Sequence, residues 1–320
     1  MVMPKLEITL LGTLTITVNG KPIEVASNFV RALLVYLVIE KHHPHRREVL
    51  AEMLWPGKPE GAARNSLKQA ISNLRMALGD RDKGDPFLLV SGDEIQFNQS
   101  SQYWVDAETF TEIIQACDGH QHDDLLNCEV CRDCYRRAVN LYQGNFLAGF
   151  YLPDNQDFND WVTLKREVFQ REMSVSLSNL VLSYEGLGEL TNAIEYSRQL
   201  TDLEPWNEQN HRNLMRLLAL NGMRSAALRH YQVCCDCLQR ELDVEPSNAT
   251  TTLYEEIKAW EPDAFPDQEL SYISLAPTDS NTIAEPDVIE NSIPRRKMTR
   301  RSLLWLIAAS LILGIGSVYW

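Results

Sequence analysis

Between Pro59 and Gly79 the sequence PEGAARNSLKQAISNLRMALG repeats its apolar residues with a helical period. At about 100° per residue, Leu67, Ile71, Leu74 and Leu78 fall within about 60° of one another, which predicts a helix with one narrow buried face. Arg64, Lys68 and Arg75 lie beside that stripe, and Asn65, Gln69 and Ser72 continue round the far side. Such side chains can bond phosphates or base edges in a major groove. Taken alone, the pattern also fits an ordinary solvated helix face.

The patterns on either side decide between those readings. Three short β-rich runs open the chain: Leu6 to Leu10, Thr13 to Val18 and Pro22 to Val25. Gly12 separates the first two, and Asn19-Gly20 marks a hairpin before the third. An apolar helical run from Phe29 to Ile39 follows, and a second helix from Arg46 to Leu54 is expected to place Val49, Leu50 and Met53 inward. The basic helix is therefore the third. After it, Leu88 to Val90 and Ile95 to Phe97 bracket the turn Ser91-Gly92-Asp93-Glu94. Strands, three helices and a closing hairpin are the order of a response-regulator-type winged helix, in which the third helix enters the major groove and the hairpin forms the wing.

Further along, Gly188 recurs as Gly222 and Ala193 as Ala227, each 34 residues apart. That is the tetratricopeptide period, with two helices per unit and small residues at the helix crossings. Helices are expected over Asp160 to Gly186, Leu190 to Leu203, Asn207 to Asn221, Met223 to Leu242 and Thr250 to Trp260.

The formal charge of −14 looks wrong for a DNA-binding protein until it is divided along the chain. Residues 1 to 105 carry 12 Lys and Arg against 11 Asp and Glu, whereas residues 106 to 260 carry 13 against 25. A near-neutral first domain with its bases gathered on one helix can attract a polyanion locally, while the acidic middle should face away. Residues 261 to 293 hold eight acidic residues, no basic ones and four prolines, the composition of an extended linker. A flexible chain of that length averages about 30 Å end to end. Arg295, Arg296, Lys297, Arg300 and Arg301 precede an uncharged apolar run from Leu303 to Trp320. As a helix this run would extend about 27 Å, against a hydrocarbon core of ~30 Å, so it is read as a transmembrane helix. The basic cluster on its N-terminal side places residues 1–301 in the cytoplasm. The N-terminus, MVMPKLEITL, shows no signal peptide.

The segments RALLVYL, REVLAEMLWP and ARNSLKQAISNLRMALG, with VDAETF after the wing, resemble the DNA-binding domain of the antibiotic regulatory protein (SARP) activators. LYQGNFLAGFYL, WNEQNHRNLMRLLALNG and ELDVEPS are similar to the bacterial transcriptional activator domain that follows the winged helix in that family. The resemblance covers roughly residues 5 to 260. It implies a transcriptional regulator, and activation as the family's mode. Double-stranded DNA is the expected partner, with a second copy of the chain to meet paired half-sites and RNA polymerase beside it. It further implies that the helical domain serves regulation or self-association. The expected organisation is an α+β winged-helix DNA-binding domain at 1–105 and an all-α TPR-like helical repeat domain at 106–260. An acidic linker with a basic juxtamembrane end at 261–301 and a single C-terminal transmembrane helix at 302–320 complete it.

Arg64, Asn65, Lys68, Gln69, Ser72 and Arg75 are the expected DNA-binding residues, joined by Arg81 and Lys83 in the loop before the wing. The wing tip carries Asp93 and Glu94 where a base would help, so the wing is expected to contribute little. Seven cysteines in a cytoplasmic chain do not argue for disulfides. His120, His122, Cys128 and Cys131 have zinc-like spacing, with Cys117 or Cys134 as substitutes, and a structural zinc there would staple the loop between domains. A solvated loop, GHQHDD, beside ordinary helix cysteines is the competing reading. Cys234, Cys235 and Cys237 read as packing residues, and His42, His43 and His45 around Pro44 read as a turn. No phosphate loop, H-E-x-x-H or G-x-S-x-G motif is present, no cofactor is required and no enzyme is expected. With no receiver domain ahead of the winged helix, phosphorylation of the response-regulator kind is not expected either. The rival to a membrane-tethered regulator is a non-enzymatic TPR-type adaptor that docks proteins at the membrane.

Overall fold

The computed structural model describes residues 6–25, 27–80, 86–120 and 127–260, which belong to one compact unit. The linker at 261–301 and the apolar run at 303–320 lie outside the described residues, as do Arg81, Lys83 and His122. Among the described residues no helix is long and apolar enough to cross a membrane.

In chain order the first part holds β1 (Leu6–Thr9), β2 (Thr15–Val18), β3 (Lys21–Pro22), α1 (Asn28–Ile39), β4 (His45–Arg46), α2 (Arg47–Leu54), α3 (Glu60–Ala77), β5 (Leu88–Ser91), β6 (Glu94–Phe97) and β7 (Tyr103–Val105). They form two sheets, ordered β3-β2-β1-β7 and β4-β6-β5. Asn19 and Gly20 both have positive φ, 52° and 73°, the primed turn their sequence predicts, and set Val18 opposite Lys21. The third expected run is shorter than its pattern. The Ile23 amide still reaches the Ile16 carbonyl, but the Val25 carbonyl accepts from Arg31 Nε at 2.8 Å instead of continuing the sheet. β7 runs parallel to β1, with Leu6 opposite Tyr103 and Ile8 opposite Val105. Its three residues are too few to show an alternation in sequence.

The histidine-rich segment turns as expected before Pro44 and then enters β4. His42 and His43 are exposed, but His45 is buried, pairs with Ile95 in β4 and places Nε2 2.8 Å from the Glu40 carbonyl. Burial pushes the His45 imidazole below its ordinary value. In α2 the buried residues are Leu50, Ala51 and Leu54, while Val49, expected inward, is 57% exposed. Leu50 and Leu54 share one face at i and i+4, and Val49 falls off it. α3 buries Leu67, Ile71 and Leu74 as expected, with Ala63 and Ala70 at its close approaches, and Leu78 is buried at its C-cap. It stops because Gly79, at φ 64°, lets its own amide bond Met76 and the Asp80 amide bond Arg75. This pair of reverse bonds is the Schellman stop, and it demands a residue tolerant of positive φ.

The second part is helical: α4 (Asp106–Asp118), α5 (Glu129–Leu141), α6 (Gln156–Gly186), α7 (Leu190–Leu203), α8 (Glu208–Leu220), α9 (Arg224–Leu242) and α10 (Asn248–Ala259). Each packs on the next. The 34-residue period has a local cause. Gly188 and Gly222 share φ 73°, and the amides after them return to Tyr184 and Leu218, so α6 and α8 end in the same Schellman stop. Ala193 and Ala227, one turn into the following helices, are fully buried. Of the expected packing cysteines, Cys234 is buried and Cys235 and Cys237 are half-buried.

Buried polar bonds join the two parts. Asp106, at the start of α4, accepts from the Leu10 and Leu11 amides at 2.7 and 2.9 Å. Burial still outweighs those bonds and raises its carboxyl above the ordinary value. Asn155 caps α6 by accepting from the Phe158 amide, and its side-chain amide donates to the Met53 and Leu54 carbonyls at 3.0 and 2.9 Å. Those two carbonyls end α2 and have no partner within the helix. One side chain therefore satisfies the start of α6 and the end of α2. Nearby, Glu40 accepts from Trp161 Nε1 at 2.9 Å and pairs with Lys165 at 2.8 Å. Burial would raise the Glu40 carboxyl, but these two partners outweigh it and hold it below the ordinary value.

Candidate nucleic-acid interface

α3 exposes Arg64 and Lys68 beside its buried stripe and Asn65 and Gln69 on the far side, and Ser72 is half-buried. A cleft of about 720 Å³ opens between this face, the start of α2 and the wing tip. Its walls include Arg46, Arg47, Arg64 and Lys68, set against Glu48, Asp93 and Glu94. Arg46 and Arg47 were missed in the sequence reading. The signal was the adjacent pair in HRREVL, directly before the second helix.

The wing is held to this cleft by backbone bonds. The Arg47 amide donates to the Asp93 carbonyl at 2.8 Å, and Arg46 pairs with Glu94 across β4 and β6. Arg47 Nε is buried there with no hydrogen-bond partner among the described residues. Arg64 Nη2 lies 3.2 Å from Glu48 and 2.8 Å from Glu60, yet its side chain stays 54% exposed. Ion pairs that open to water contribute about 0–1 kcal/mol, so a phosphate can displace them at little cost.

Arg75 sits differently. It is half-buried at the end of α3, with Nε 3.8 Å from Asp80 Oδ2. Asp80 is itself buried and accepts from the Phe87 and Leu88 amides at 2.5 and 3.2 Å. These bonds fix the base of the wing to the end of α3, and Arg75 flanks them. The structure thus brings Arg64, Asn65 and Lys68 together in the cleft and holds Arg75 at the wing base.

The cysteine and histidine group is gathered elsewhere, between the end of α4 and the start of α5. His120 Nδ1 lies 3.6 Å from Cys128 Sγ and 3.4 Å from Cys131 Sγ. Cys117 is buried, and its thiol donates to the Cys131 carbonyl at 3.6 Å. Burial pushes the Cys131 thiol up to about 12. The expected location between domains is corrected: both helices lie within the helical part, downstream of β7.

Residues 105–258 match the bacterial transcriptional activator domain. The match begins at the last residue of β7 and ends one residue short of the end of α10, so it takes in nearly all of the helical part. The Transcriptional regulatory protein EmbR of Mycobacterium tuberculosis is 37% identical over 75 residues, 23% of this chain and 19% of that protein. The Regulatory protein AfsR of Streptomyces coelicolor is 26% identical over 257 residues, 76% of this chain and 23% of its own length. The chain thus spans about a fifth of the curated relatives it matches. A solved structure, Mycobacterium tuberculosis EmbR in complex with a low-affinity phosphopeptide, has the same fold, with a TM-score of 0.58. It is 23% identical and covers 81% of this chain and 66% of that one. An α+β region leading into a helical domain is thus an arrangement this chain shares with the EmbR structure.

Proposed function

We propose that the chain is a sequence-specific, DNA-binding transcriptional regulator, an activator by its family resemblance, held at a membrane by residues 303–320. The observation that carries the DNA reading is the exposed polar face of α3, which opens into a cleft walled by Arg46, Arg47, Arg64 and Lys68. Arg64 and Lys68 would anchor phosphates or guanines, and Asn65, Gln69 and Ser72 would read base edges. Arg46 and Arg47 would hold the backbone beside them. Arg81 and Lys83, in the loop before the wing, would add further phosphate contacts. Asp93 and Glu94 limit what the wing can add, so the wing would serve chiefly to fix the angle of α3. A second copy of the chain would supply the paired half-site that gives a small winged helix its specificity, and RNA polymerase would be the target of activation.

Mapping the fragments that the intact protein retains from genomic DNA tests the DNA reading. A few promoter fragments enriched over random DNA are expected. No enrichment would favour the adaptor instead. Membrane attachment rests on the sequence of the last segment, and replacing Ile307 and Leu311 with Arg is expected to move the protein into the soluble fraction. Continued recovery with membranes would sink the span.

A further inference from the structure

Three potential metal ligands converge where α4 meets α5, with the buried Cys117 thiol beside them, outside the cleft and unused by the function proposed above. The His120, Cys128 and Cys131 ligand atoms all lie within 4.8 Å of one another. A tetrahedral zinc with Zn–S of about 2.3 Å and Zn–N of about 2.0–2.1 Å separates its sulfur and nitrogen ligands by about 3.6 Å. The two S···N separations here are 3.6 and 3.4 Å. The fold therefore already holds two edges of such a tetrahedron.

Cys117 is the buried thiol at hand for the fourth position. Cys117 lies in the last turn of α4 with His120 just past the helix end, and Cys128 is the N-cap of α5 with Cys131 in its first turn. The end of α4 and the start of α5 thus each bring two candidate ligands to the same place. Cys117 is buried against Cys131, which its thiol already meets at the backbone carbonyl. Cys134, a further turn into α5, is half-buried and would be the third ligand from a single helix.

We propose that Cys117, His120, Cys128 and Cys131 bind one zinc ion, which clasps the end of α4 to the first turn of α5. Three thiolates and an imidazole fill all four positions, which makes the site structural, with no place for water or substrate. Soft sulfur donors select zinc over magnesium or calcium. The clasp closes the loop that separates the two helices, and the metal's binding free energy becomes folding free energy for this end of the activator domain.

The test uses the full chain produced in zinc-supplemented medium, with metal content measured by mass spectrometry. One zinc per chain is expected in the wild type and in Cys134→Ser, and almost none in Cys131→Ser or His120→Ala. A wild type that is folded and free of zinc, or full retention in Cys131→Ser or His120→Ala, would overturn the proposal. Cobalt titrated into the metal-stripped wild type guards against variants that fail to fold. Saturation at one equivalent, with tetrahedral d–d bands and strong thiolate charge transfer, is expected; a weak octahedral spectrum would contradict the site. Cys117→Ser should reduce the charge transfer from that of three thiolates to that of two. An unchanged spectrum would remove Cys117 from the ligand set.

Discussion

The cleft beside α3 and the seam between α2 and α6 are both rich in polar side chains, but they satisfy them in opposite ways. In the seam, Asn155 is buried and every polar atom of its side chain is bonded, to the Phe158 amide and to the Met53 and Leu54 carbonyls. In the cleft, Arg64 meets Glu48 and Glu60 at the edge of solvent, and Arg47 Nε has no hydrogen-bond partner among the described residues. Buried and satisfied bonds fix a geometry, because breaking one strands its partner away from water. Exposed pairs can be exchanged. The seam therefore fixes α2 against α6, whereas the cleft leaves its ion pairs free to be exchanged for the anion proposed above.

Breaking the seam should give the largest effect on stability. Asn155→Ala removes the cap of α6 and leaves two buried helix-end carbonyls without partners, an expected loss of about 3 kcal/mol. Urea denaturation would measure it, and a loss under about 1 kcal/mol would mean that the seam does not depend on these bonds.

A smaller effect is expected from acid, through a contact far from both regions. His211 Nε2 lies 2.9 Å from the Pro205 carbonyl and so carries the proton, which leaves Nδ1 to accept from His230 Nε2 at 3.0 Å. Burial, followed by the positive charge that His211 and Arg198 would present, lowers His230 to about 4. The unfolded chain, with an ordinary histidine value near 6.5, binds the extra proton between those limits while the folded chain does not. Stability is therefore complete above about pH 6.5 and falls as the pH drops toward 4, by about 2 kcal/mol after allowance for partial exposure. Melting temperature followed across that window checks the sign. His230→Gln should flatten the profile, and a profile unchanged by that substitution would remove the histidine pair as its cause.

The smallest effect on stability belongs to the cleft. Arg64→Ala combined with Lys68→Ala should stay within about 0.5 kcal/mol of the wild type, because neither side chain holds a buried bond. A loss as large as that of Asn155→Ala would make the cleft structural and erase the contrast.

What was legible in the sequence was local. The stripe of Leu67, Ile71, Leu74 and Leu78, the Asn19-Gly20 turn and the helix from Leu190 to Leu203 all follow from short-range pattern, and all are found. Long-range pairing was not legible. Asp106 meets residues 95 and 96 positions earlier, and Asn155 meets Met53 across 102, so no periodicity announces either contact. β4 and β7 are too short to carry an alternation and exist through their partners, β6 and β1. The cleft was half legible for the same reason: α3 announces itself, whereas Arg46 and Arg47 join it only through the pairing of β4 with the wing.

The central claim is that this cleft binds DNA through its cations. Binding of the intact protein to an enriched fragment, followed by fluorescence anisotropy at several salt concentrations, tests it most directly. Contacts by Arg46, Arg47, Arg64 and Lys68 give an expected slope near −3.6 in log affinity against log salt, so affinity should fall roughly 150-fold between 50 and 200 mM. Arg64→Ala with Lys68→Ala should make the slope shallower by about 1.8 and abolish preference for the fragment over random DNA. An affinity, slope and preference untouched by the two substitutions would contradict the account.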